Sequence, residues 1–279
     1  MEQLPLNDLP KHSEWAAYLL DPSRDPPGDP TAYTGTETYE EIYTHLLERY
    51  RENPVPAAET VERIRSTGPS DKHLVSMNET LYLVESDELT KQEYETVRSA
   101  LDPVLSGGET VLDLGCGWGW TLDAIASGFP GVRVRGGEYA PSGVEFASAV
   151  FADGEERITV EQFDFFDDWN LDDDADGERV VFTKGALVTL PETEPVIERL
   201  ATLADEGTVT AGVHLEQVGP HPKTVLGHLR QRYSQERCYS DNVLEQIREP
   251  SALKITDVTY DVHGSNPLHP LTRICWQSN

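Results

Sequence analysis

A short stretch near the middle of the chain constrains the fold more than any other. Residues 111–120 read Val-Leu-Asp-Leu-Gly-Cys-Gly-Trp-Gly-Trp, an apolar run that ends in three alternating glycines, and Thr121 opens a predicted helix. Glycine adopts positive φ without strain and lets a ligand approach the backbone, and the N-terminus of a helix presents unpaired N–H donors. The stretch therefore predicts a site for a nucleotide-type cofactor, with the acid Asp113 two residues before the first glycine.

After Gly108 the pattern of strand, turn and helix repeats, which is typical of a parallel sheet covered by helices on both faces. The strands are predicted at 110–114, 133–138, 158–162, 179–183, 208–215, 253–262 and 271–277. The last two flank a Gly-Ser-Asn-Pro turn region and are expected to form an antiparallel pair at one edge. The helices are predicted at 121–127, 141–151, 194–203 and, in two pieces, 224–248. The sequence therefore predicts an α/β protein.

The N-terminal third differs from this pattern. Residues 1–31 contain repeated Asp-Pro pairs, which break regular structure, so we predict an arm in which Trp15–Leu20 packs as a helical turn. Residues 32–89 are expected to form a mainly helical cap or lid with no sheet pattern, although 71–88 fit either short strands or irregular structure. Residues 90–279 are expected to form the main domain. Helices are predicted at 38–51, 57–66 and 90–105. A plain structural extension is the alternative to a lid.

Charge and cysteine content narrow the classes of function. The 279 residues include 22 Lys and Arg against 50 Asp and Glu, a formal net charge of -28. Binding to nucleic acid or anionic lipid needs a cationic face, so neither is an expected partner. Such an acidic surface is typical of a protein solvated in a high-salt cytoplasm, where screening relieves self-repulsion. Three cysteines without metal-type spacing predict neither a disulfide framework nor a metal site.

No apolar run approaches about 18 residues and no signal pattern is present, so we expect a cytoplasmic protein without a membrane segment.

The residue after the third glycine separates two kinds of cofactor site. A dinucleotide site requires G-x-G-x-x-G with a small last residue, and the bulky Trp120 occupies the position of that residue. The pattern Asp-x-Gly-x-Gly-x-Gly instead resembles motif I of the class I S-adenosylmethionine-dependent methyltransferases, and the resemblance extends over about residues 90–279. It implies a Rossmann-like seven-stranded sheet whose closing hairpin places the last strand antiparallel between the fifth and sixth, with the N-terminal mainly helical cap as an addition.

The resemblance also implies a cofactor, S-adenosyl-L-methionine, and the residues that hold it. Glu138 ends the second strand, where the family places an acid on the ribose hydroxyls. Asp164 follows the third strand, where the family's acid meets the adenine amino group, and Lys184 lies in the segment beneath the methionine part. The expected cofactor-binding residues are Asp113, Gly115, Cys116, Gly117, Gly119, Glu138, Tyr139, Asp164, Phe165 and Lys184. The alternatives are a structural role for Asp113, surface positions for Glu138 and Asp164, and simple packing for Cys116.

Methyl transfer from a sulfonium is an in-line displacement, so the protein mainly aligns the reacting atoms. An oxygen acceptor often needs a base. The candidate for this base is His214, at the C-terminal end of the predicted fifth strand. Glu216 lies on the same strand face and is expected to orient it. A buried histidine with satisfied hydrogen bonds is the alternative. His214, His221 and His228 share a spacing of seven, but a strand end, a turn and a helix separate them, so we expect no metal.

The expected function is methylation of a small-molecule acceptor, on oxygen of a polar metabolite. Residues 266–276 are similar to the C-terminal end of sugar O-methyltransferases, which favours a polar acceptor. Aromatic side chains are candidates for an acceptor pocket, with core packing as the alternative for Trp120; they are Trp118, Trp120, Tyr139 and Tyr233. The competing hypotheses are a protein or peptide methyltransferase, for which the acidic surface would select basic partners, and a non-catalytic S-adenosylmethionine-binding protein. The oligomeric state is left open, with a homodimer as one alternative.

Overall fold

The computed structural model describes residues 1–21, 23–28, 36–65, 72–152, 156–169, 177–219, 221–240 and 242–279. Parts of the predicted arm and the predicted end of the second helix, Ser66, lie outside these ranges. The N-terminal elements are β1 (Glu2–Leu4), α1 (Leu9–His12), α2 (Glu14–Leu20), α3 (Thr36–Glu52), α4 (Ala57–Arg65), β2 (Lys72–Met77) and β3 (Thr80–Glu85).

The remaining elements form the main body, in which strands and helices mostly alternate up to β8. In chain order they are α5 (Ser86–Leu101), β4 (Thr110–Leu114), α6 (Trp120–Gly128), β5 (Arg133–Glu138), α7 (Pro141–Phe151), β6 (Ile158–Gln162), β7 (Arg179–Lys184), α8 (Glu194–Asp205), β8 (Ala211–Glu216), α9 (Val225–Glu236), α10 (Val243–Arg248), β9 (Leu253–His263) and β10 (Leu271–Ser278). Helix α5 begins four residues earlier than expected and crosses the predicted boundary at residue 90.

The main sheet has seven strands in the order β6-β5-β4-β7-β8-β10-β9. Strands β6 to β8 are parallel, whereas β10 runs antiparallel to both β8 and β9. The predicted seven-stranded sheet with its closing antiparallel hairpin is therefore confirmed. The chain moves outward from β4 through β5 to β6 and then returns to the other side of β4 with β7. This reversal creates a crevice at the carboxyl ends of β4 and its neighbours, where open α/β sheets bind ligands.

Strand β4 lies in the centre of the core, and all five of its residues are buried. Successive side chains of a strand point to opposite faces. Val111 accordingly packs into a cluster with Leu101 of α5 and Leu122 of α6. Leu112 packs on the other face with Leu200 of α8, within the second large cluster of the sheet. The apolar run before the glycines is thus a strand buried on both sides, which holds the following turn in a fixed place.

The N-terminal region is mainly helical, as expected, and Trp15–Leu20 lies within α2. It also contains a three-stranded antiparallel sheet in the order β1-β3-β2, so the expectation of no sheet pattern there was wrong. Asn78 and Glu79 turn the β2–β3 hairpin with φ of 48° and 64°. Positive φ at both central residues is the geometry of a type I′ turn, which usually contains a glycine. The Asn78-Glu79 pair contains no glycine, so the sequence does not indicate this turn. The β1–β3 pairing joins distant segments, which no local sequence pattern indicates.

A buried ion pair joins this small sheet to the main body. Arg230 of α9 is 1% exposed, and its guanidinium binds Asp261 of β9 at 2.9 Å and also pairs with Glu79. The second oxygen of Asp261 accepts a hydrogen bond from Ser76 of β2 at 2.8 Å. Removing one partner of a buried pair leaves an uncompensated charge, which typically costs about 3–5 kcal/mol. The hairpin is therefore an integral part of the fold.

Within the part of the chain that the structure describes, no helix combines the length and the apolar character needed to cross a bilayer.

Candidate functional site

A cavity of about 480 Å³ lies at the carboxyl ends of β4, β5, β6 and β7. Nine of the ten residues expected to bind the cofactor line it, namely Asp113, Gly115, Cys116, Gly117, Glu138, Tyr139, Asp164, Phe165 and Lys184. Gly119 does not line the cavity and instead caps the N-terminus of α6. A wider hollow of about 770 Å³ between the end of α7 and β6 contains none of the expected residues. The crevice at the strand reversal is therefore the candidate site.

The glycine turn has the backbone geometry expected of it. Gly115, Gly117 and Gly119 all have positive φ, of 81°, 58° and 93°. A Cβ on Gly115 would lie 2.6 Å from the Cβ of Ala186, in the segment after β7, and a Cβ on Gly117 would lie 2.8 Å from the Tyr43 hydroxyl. Ordinary side chains would collide at both positions, so the turn needs glycine for its conformation and for the close approach of its neighbours.

Glu138 is held against the glycine turn by backbone amides. Its Oε2 accepts a hydrogen bond from the Gly117 N–H, and its Oε1 accepts one from the Ala140 N–H, both at 2.9 Å. Its side chain is buried, and burial raises the pKa of its carboxyl while these hydrogen bonds oppose the rise. The acid that the sequence placed at the end of the second strand is thus oriented by the turn itself. A carboxylate has about four acceptor sites, so Glu138 keeps capacity for a further donor.

Asp113 lies below the turn and is almost fully buried. Its Oδ2 accepts a hydrogen bond from the Thr121 hydroxyl in the first turn of α6. Burial raises the pKa of Asp113 to about 7, while the Thr121 hydrogen bond and the positive charge of Lys184 act in the opposite direction. The Nζ of Lys184 lies 4.8 Å from the ring centroid of Trp120. An acid and an ammonium therefore face the same end of the cavity.

The opposite end of the cavity is aromatic. Asp164 follows β6, and its Oδ1 accepts a hydrogen bond from the Phe166 N–H at 2.9 Å. Phe163 and Phe165 pack edge to face with centroids 5.1 Å apart. Tyr139 and Phe166 are 48% and 49% exposed although both line the cavity. One carboxylate among flat apolar rings suits a heteroaromatic base with an exocyclic amino group.

Tyr39 and Tyr43 of α3 cover the cavity, and the sequence did not identify either residue as part of the site. Helix α3 is fixed to α7, because the Ser142 N–H donates to the Glu40 carboxylate at 3.0 Å. The Tyr50 hydroxyl also donates to the Ala149 carbonyl at 3.2 Å. Burial and the charge of Glu138 raise the pKa of Tyr43. Two tyrosines four residues apart share one helix face, but nothing local in the sequence relates that face to the glycine turn.

His214 and Glu216 do not occupy the place expected of a catalytic pair. Both are 0% exposed, and neither lines the cavity. The His214 Nε2 accepts a hydrogen bond from the Trp276 indole at 2.8 Å, and its Nδ1 lies 2.9 Å from the Thr183 hydroxyl. Burial lowers the pKa of His214 to about 3. The geometry contradicts a role for His214 as base, since both ring nitrogens are engaged within the core.

Glu216 serves the loop after β7 instead of the histidine. It accepts hydrogen bonds from the Thr183 hydroxyl at 2.7 Å and from the amides of Ala186, Leu187 and Val188 at 3.2–3.4 Å. Burial raises the pKa of Glu216, and these donors oppose the rise. All six residues of β8 are buried, so its last side chains lie within the core. The expected orienting contact from Glu216 to His214 is replaced by support of the segment that carries Ala186.

Three of the four expected acceptor-pocket aromatics, Trp118, Trp120 and Tyr139, do line the cavity. Tyr233 does not, because it packs against Trp15 of α2 with centroids 5.2 Å apart. The described residues contain no group of three His, Cys, Asp or Glu side chains that could hold a metal ion.

Comparison with known proteins shows the fold. No protein-family model and no curated protein matches the sequence. Among solved structures, the chain is similar to the mitomycin 7-O-methyltransferase MmcR, with 16% identity, a TM-score of 0.50, and coverage of 86% of this chain and 67% of that one. It is similar to the pyocyanin biosynthetic protein PhzM, with 14% identity, a TM-score of 0.50, and coverage of 70% and 58%.

A third similar structure is the magnesium protoporphyrin IX methyltransferase of Synechocystis PCC 6803, with 18% identity, a TM-score of 0.48, and coverage of 68% of this chain and 84% of that one. At these identities the similarity concerns the fold alone. Together with the strand order, the MmcR and PhzM matches show that this chain has the Rossmann-like fold of the class I methyltransferases.

Proposed function

We propose that this protein is an S-adenosylmethionine-dependent methyltransferase that acts on a small molecule. The observation that carries the proposal is the convergence of nine residues, chosen from the sequence alone, on one cavity at the strand reversal of the sheet. Motif resemblance alone would not require Glu138 to be hydrogen-bonded to the glycine turn, yet it is. The chain's charge of -28 supports a location in a high-salt cytoplasm as part of the same proposal.

The residues of the cavity fit the cofactor in three respects. The glycine turn lines the cavity at Gly115 and Gly117 with backbone that carries no side chain. Glu138 is a fixed carboxylate that can accept hydrogen bonds from a diol. Asp164 and Phe165 can receive a purine ring and its amino group. When bound, S-adenosylmethionine supplies an electrophilic methyl group on a positively charged sulfur.

The protein's own part in the reaction is alignment and exclusion of water. Tyr39 and Tyr43 cover the cavity from α3, and the network beneath Ala186 fixes the segment after β7. In-line displacement gains most of its acceleration from such positioning. A covered cavity favours a small acceptor over a protein chain. Its lining by Trp118, Trp120, Leu190 and Pro191 favours an acceptor with an apolar face over the sugar-like one expected from the C-terminal resemblance.

Calorimetric titration with S-adenosylmethionine and S-adenosylhomocysteine tests the proposal. The wild-type protein should bind both, and Glu138→Gln should weaken binding by about 10- to 100-fold, since hydrogen bonds to charged groups contribute about 1.5–3 kcal/mol. Glu198→Gln, on the exposed face of α8, is the matched control and should bind like wild type. Absence of binding to wild type would refute the proposal. Binding without transfer of labelled methyl to any acceptor in metabolite pools would favour the non-catalytic alternative.

A further inference from the structure

The charges that line the cavity are distributed unevenly. Among the described residues of the lining, three are carboxylates, Asp113, Glu138 and Asp164, and one is an ammonium, Lys184. The strand order places these groups in sequence along the crevice, with Asp164 after β6, Glu138 at β5, Asp113 in β4 and Lys184 at the end of β7. Neighbouring strands lie about 4.8 Å apart, so the backbone at the end of β7 lies roughly 14 Å from the backbone at the end of β6.

We infer that the cavity takes an aromatic acceptor that carries an ionised oxygen, a phenolate or a carboxylate, and that the Lys184 ammonium binds this oxygen. The inference rests on the proposed function and makes it more specific. It also assigns Lys184 to the acceptor, whereas the sequence resemblance placed it with the cofactor.

The walls beside Lys184 are suited to a flat ring. Trp120 lies under the Lys184 ammonium and is supported from outside the cavity by Tyr94, with centroids 6.0 Å apart. The Tyr94 hydroxyl is itself held by Asp123 at 2.6 Å. Trp118 stacks on Phe146 at 5.9 Å with the ring planes 21° apart. Two indoles held by their own partners offer rigid apolar surface, which binds planar ligands at little cost in conformational entropy.

The structure around this end also favours an acceptor that is already ionised. His214 is enclosed in the core with both ring nitrogens engaged, so it cannot take a proton from an acceptor. Asp113 is almost fully buried beneath the turn and engaged by Thr121. An ionised oxygen needs no protein base: its lone pair forms the new O–C bond while the C–S bond breaks, and the electron pair of that bond stays on sulfur. The negative oxygen and positive sulfonium both become neutral, and no proton is released.

Electrostatics explains why Lys184 is needed for such an acceptor. Three carboxylates and an overall charge of -28 would repel an anion from the cavity. A single ammonium at the end of β7 offsets this repulsion at one place. Charge-assisted hydrogen bonds between an ammonium and an oxyanion are about twice as strong as neutral ones. Two other uses of the charge are outcomes of the test: a counter-charge for Asp113 alone, or a partner for the carboxylate of the cofactor.

The test measures binding of matched aromatic probes to protein saturated with S-adenosylhomocysteine, by tryptophan fluorescence or calorimetry. The pairs are benzoate against benzamide and 4-nitrophenolate against 4-nitroanisole. Wild type should bind the anionic member about tenfold or more tightly than the neutral one. Lys184→Met should reduce that preference to within about twofold, whereas Lys184→Arg should retain it. Lys254→Met, exposed on β9, is the control and should leave the preference unchanged.

Further measurements distinguish the proposed role of Lys184 from the two other uses of its charge. Equal binding of charged and neutral probes to wild type, or an unchanged preference in Lys184→Met, would overturn the inference. The inference would also be overturned if Lys184→Met lost affinity for S-adenosylhomocysteine but kept its affinity for methylthioadenosine. Methylthioadenosine lacks the amino-acid part, so this result would show that Lys184 holds the cofactor carboxylate. Should Lys184→Met not fold, Lys184→Gln serves in its place. Failure of wild type to bind S-adenosylhomocysteine at all would instead refute the proposed function.

Discussion

The burial of His214 predicts a specific loss of stability in acid. The Trp276 indole can only donate, so the His214 Nε2 must accept, and the proton of the neutral ring lies on Nδ1 toward Thr183. The Thr183 hydroxyl in turn donates to Glu216. Every group in this chain is satisfied while the ring is neutral. Protonation would set an N–H at Nε2 against the N–H of Trp276.

The magnitude follows from the two pKa values. Unfolded, His214 titrates near 6.5, and burial lowers its pKa to about 3 in the folded protein. Between these two pKa values the unfolded chain therefore binds a proton that the folded chain does not bind. The contribution of the neutral His214 ring to the free energy of unfolding is fully present above pH 6.5 and is lost as pH falls toward 3. Linkage gives a loss of about 2 kcal/mol at about pH 5 and about 5 kcal/mol below the folded pKa.

Urea unfolding of wild type and His214→Gln at about pH 7 and about pH 5 measures this loss. Both proteins should be studied in about 1 M KCl, where the Debye length is about 3 Å and the changing surface charge is screened. Glutamine does not titrate, so its free energy of unfolding should fall by about 2 kcal/mol less than that of wild type. Burial also lowers the pKa of His269 to about 3. Both proteins contain His269, so its contribution cancels when the two losses of free energy are subtracted.

Exposed His12→Gln serves as the control and should show the same loss as wild type. Equal losses in wild type and His214→Gln would refute the burial argument. If His214→Gln does not fold, the imidazole NMR signals of wild type give the same information, because the His214 ring should stay neutral at about pH 5.

Other substitutions test the site and the N-terminal region. Gly115→Ala should abolish binding of S-adenosylhomocysteine in calorimetry, because its Cβ meets Ala186, while Gly207→Ala has similar backbone strain in open space and should bind normally. Arg230→Met should lower the free energy of unfolding by about 3–5 kcal/mol in urea titrations, and adding Asp261→Asn should recover part of this. Tyr43→Ala should speed dissociation of S-adenosylhomocysteine in stopped-flow measurements, since Tyr43 covers the cavity; an unchanged rate would contradict a role for α3 as its cover.

The sequence was sufficient for features whose signals are local. Strand β4 and the turn after it could be recognised because a run buried on both faces is mostly apolar, and a turn at positive φ needs glycine. Glu138 and Asp164 were expected at the site because they match positions that the methyltransferase resemblance implies, and both follow strands that end at the same edge of the sheet. Trp120 argued against a dinucleotide because its bulk is incompatible with that motif. Each of these conclusions depends on residues within one strand–turn–helix unit.

Tertiary structure decided what depends on distant segments. The pairing of β1 with β3 and the placement of Tyr43 over Gly117 join residues about 70–80 positions apart, and no local pattern records which surfaces meet. His214 has the same type and strand position whether it faces a cavity or the core. Its role was decided by Trp276, which β10 brings against β8. A sequence states what a side chain can do, whereas packing determines which atoms it reaches and whether water reaches it.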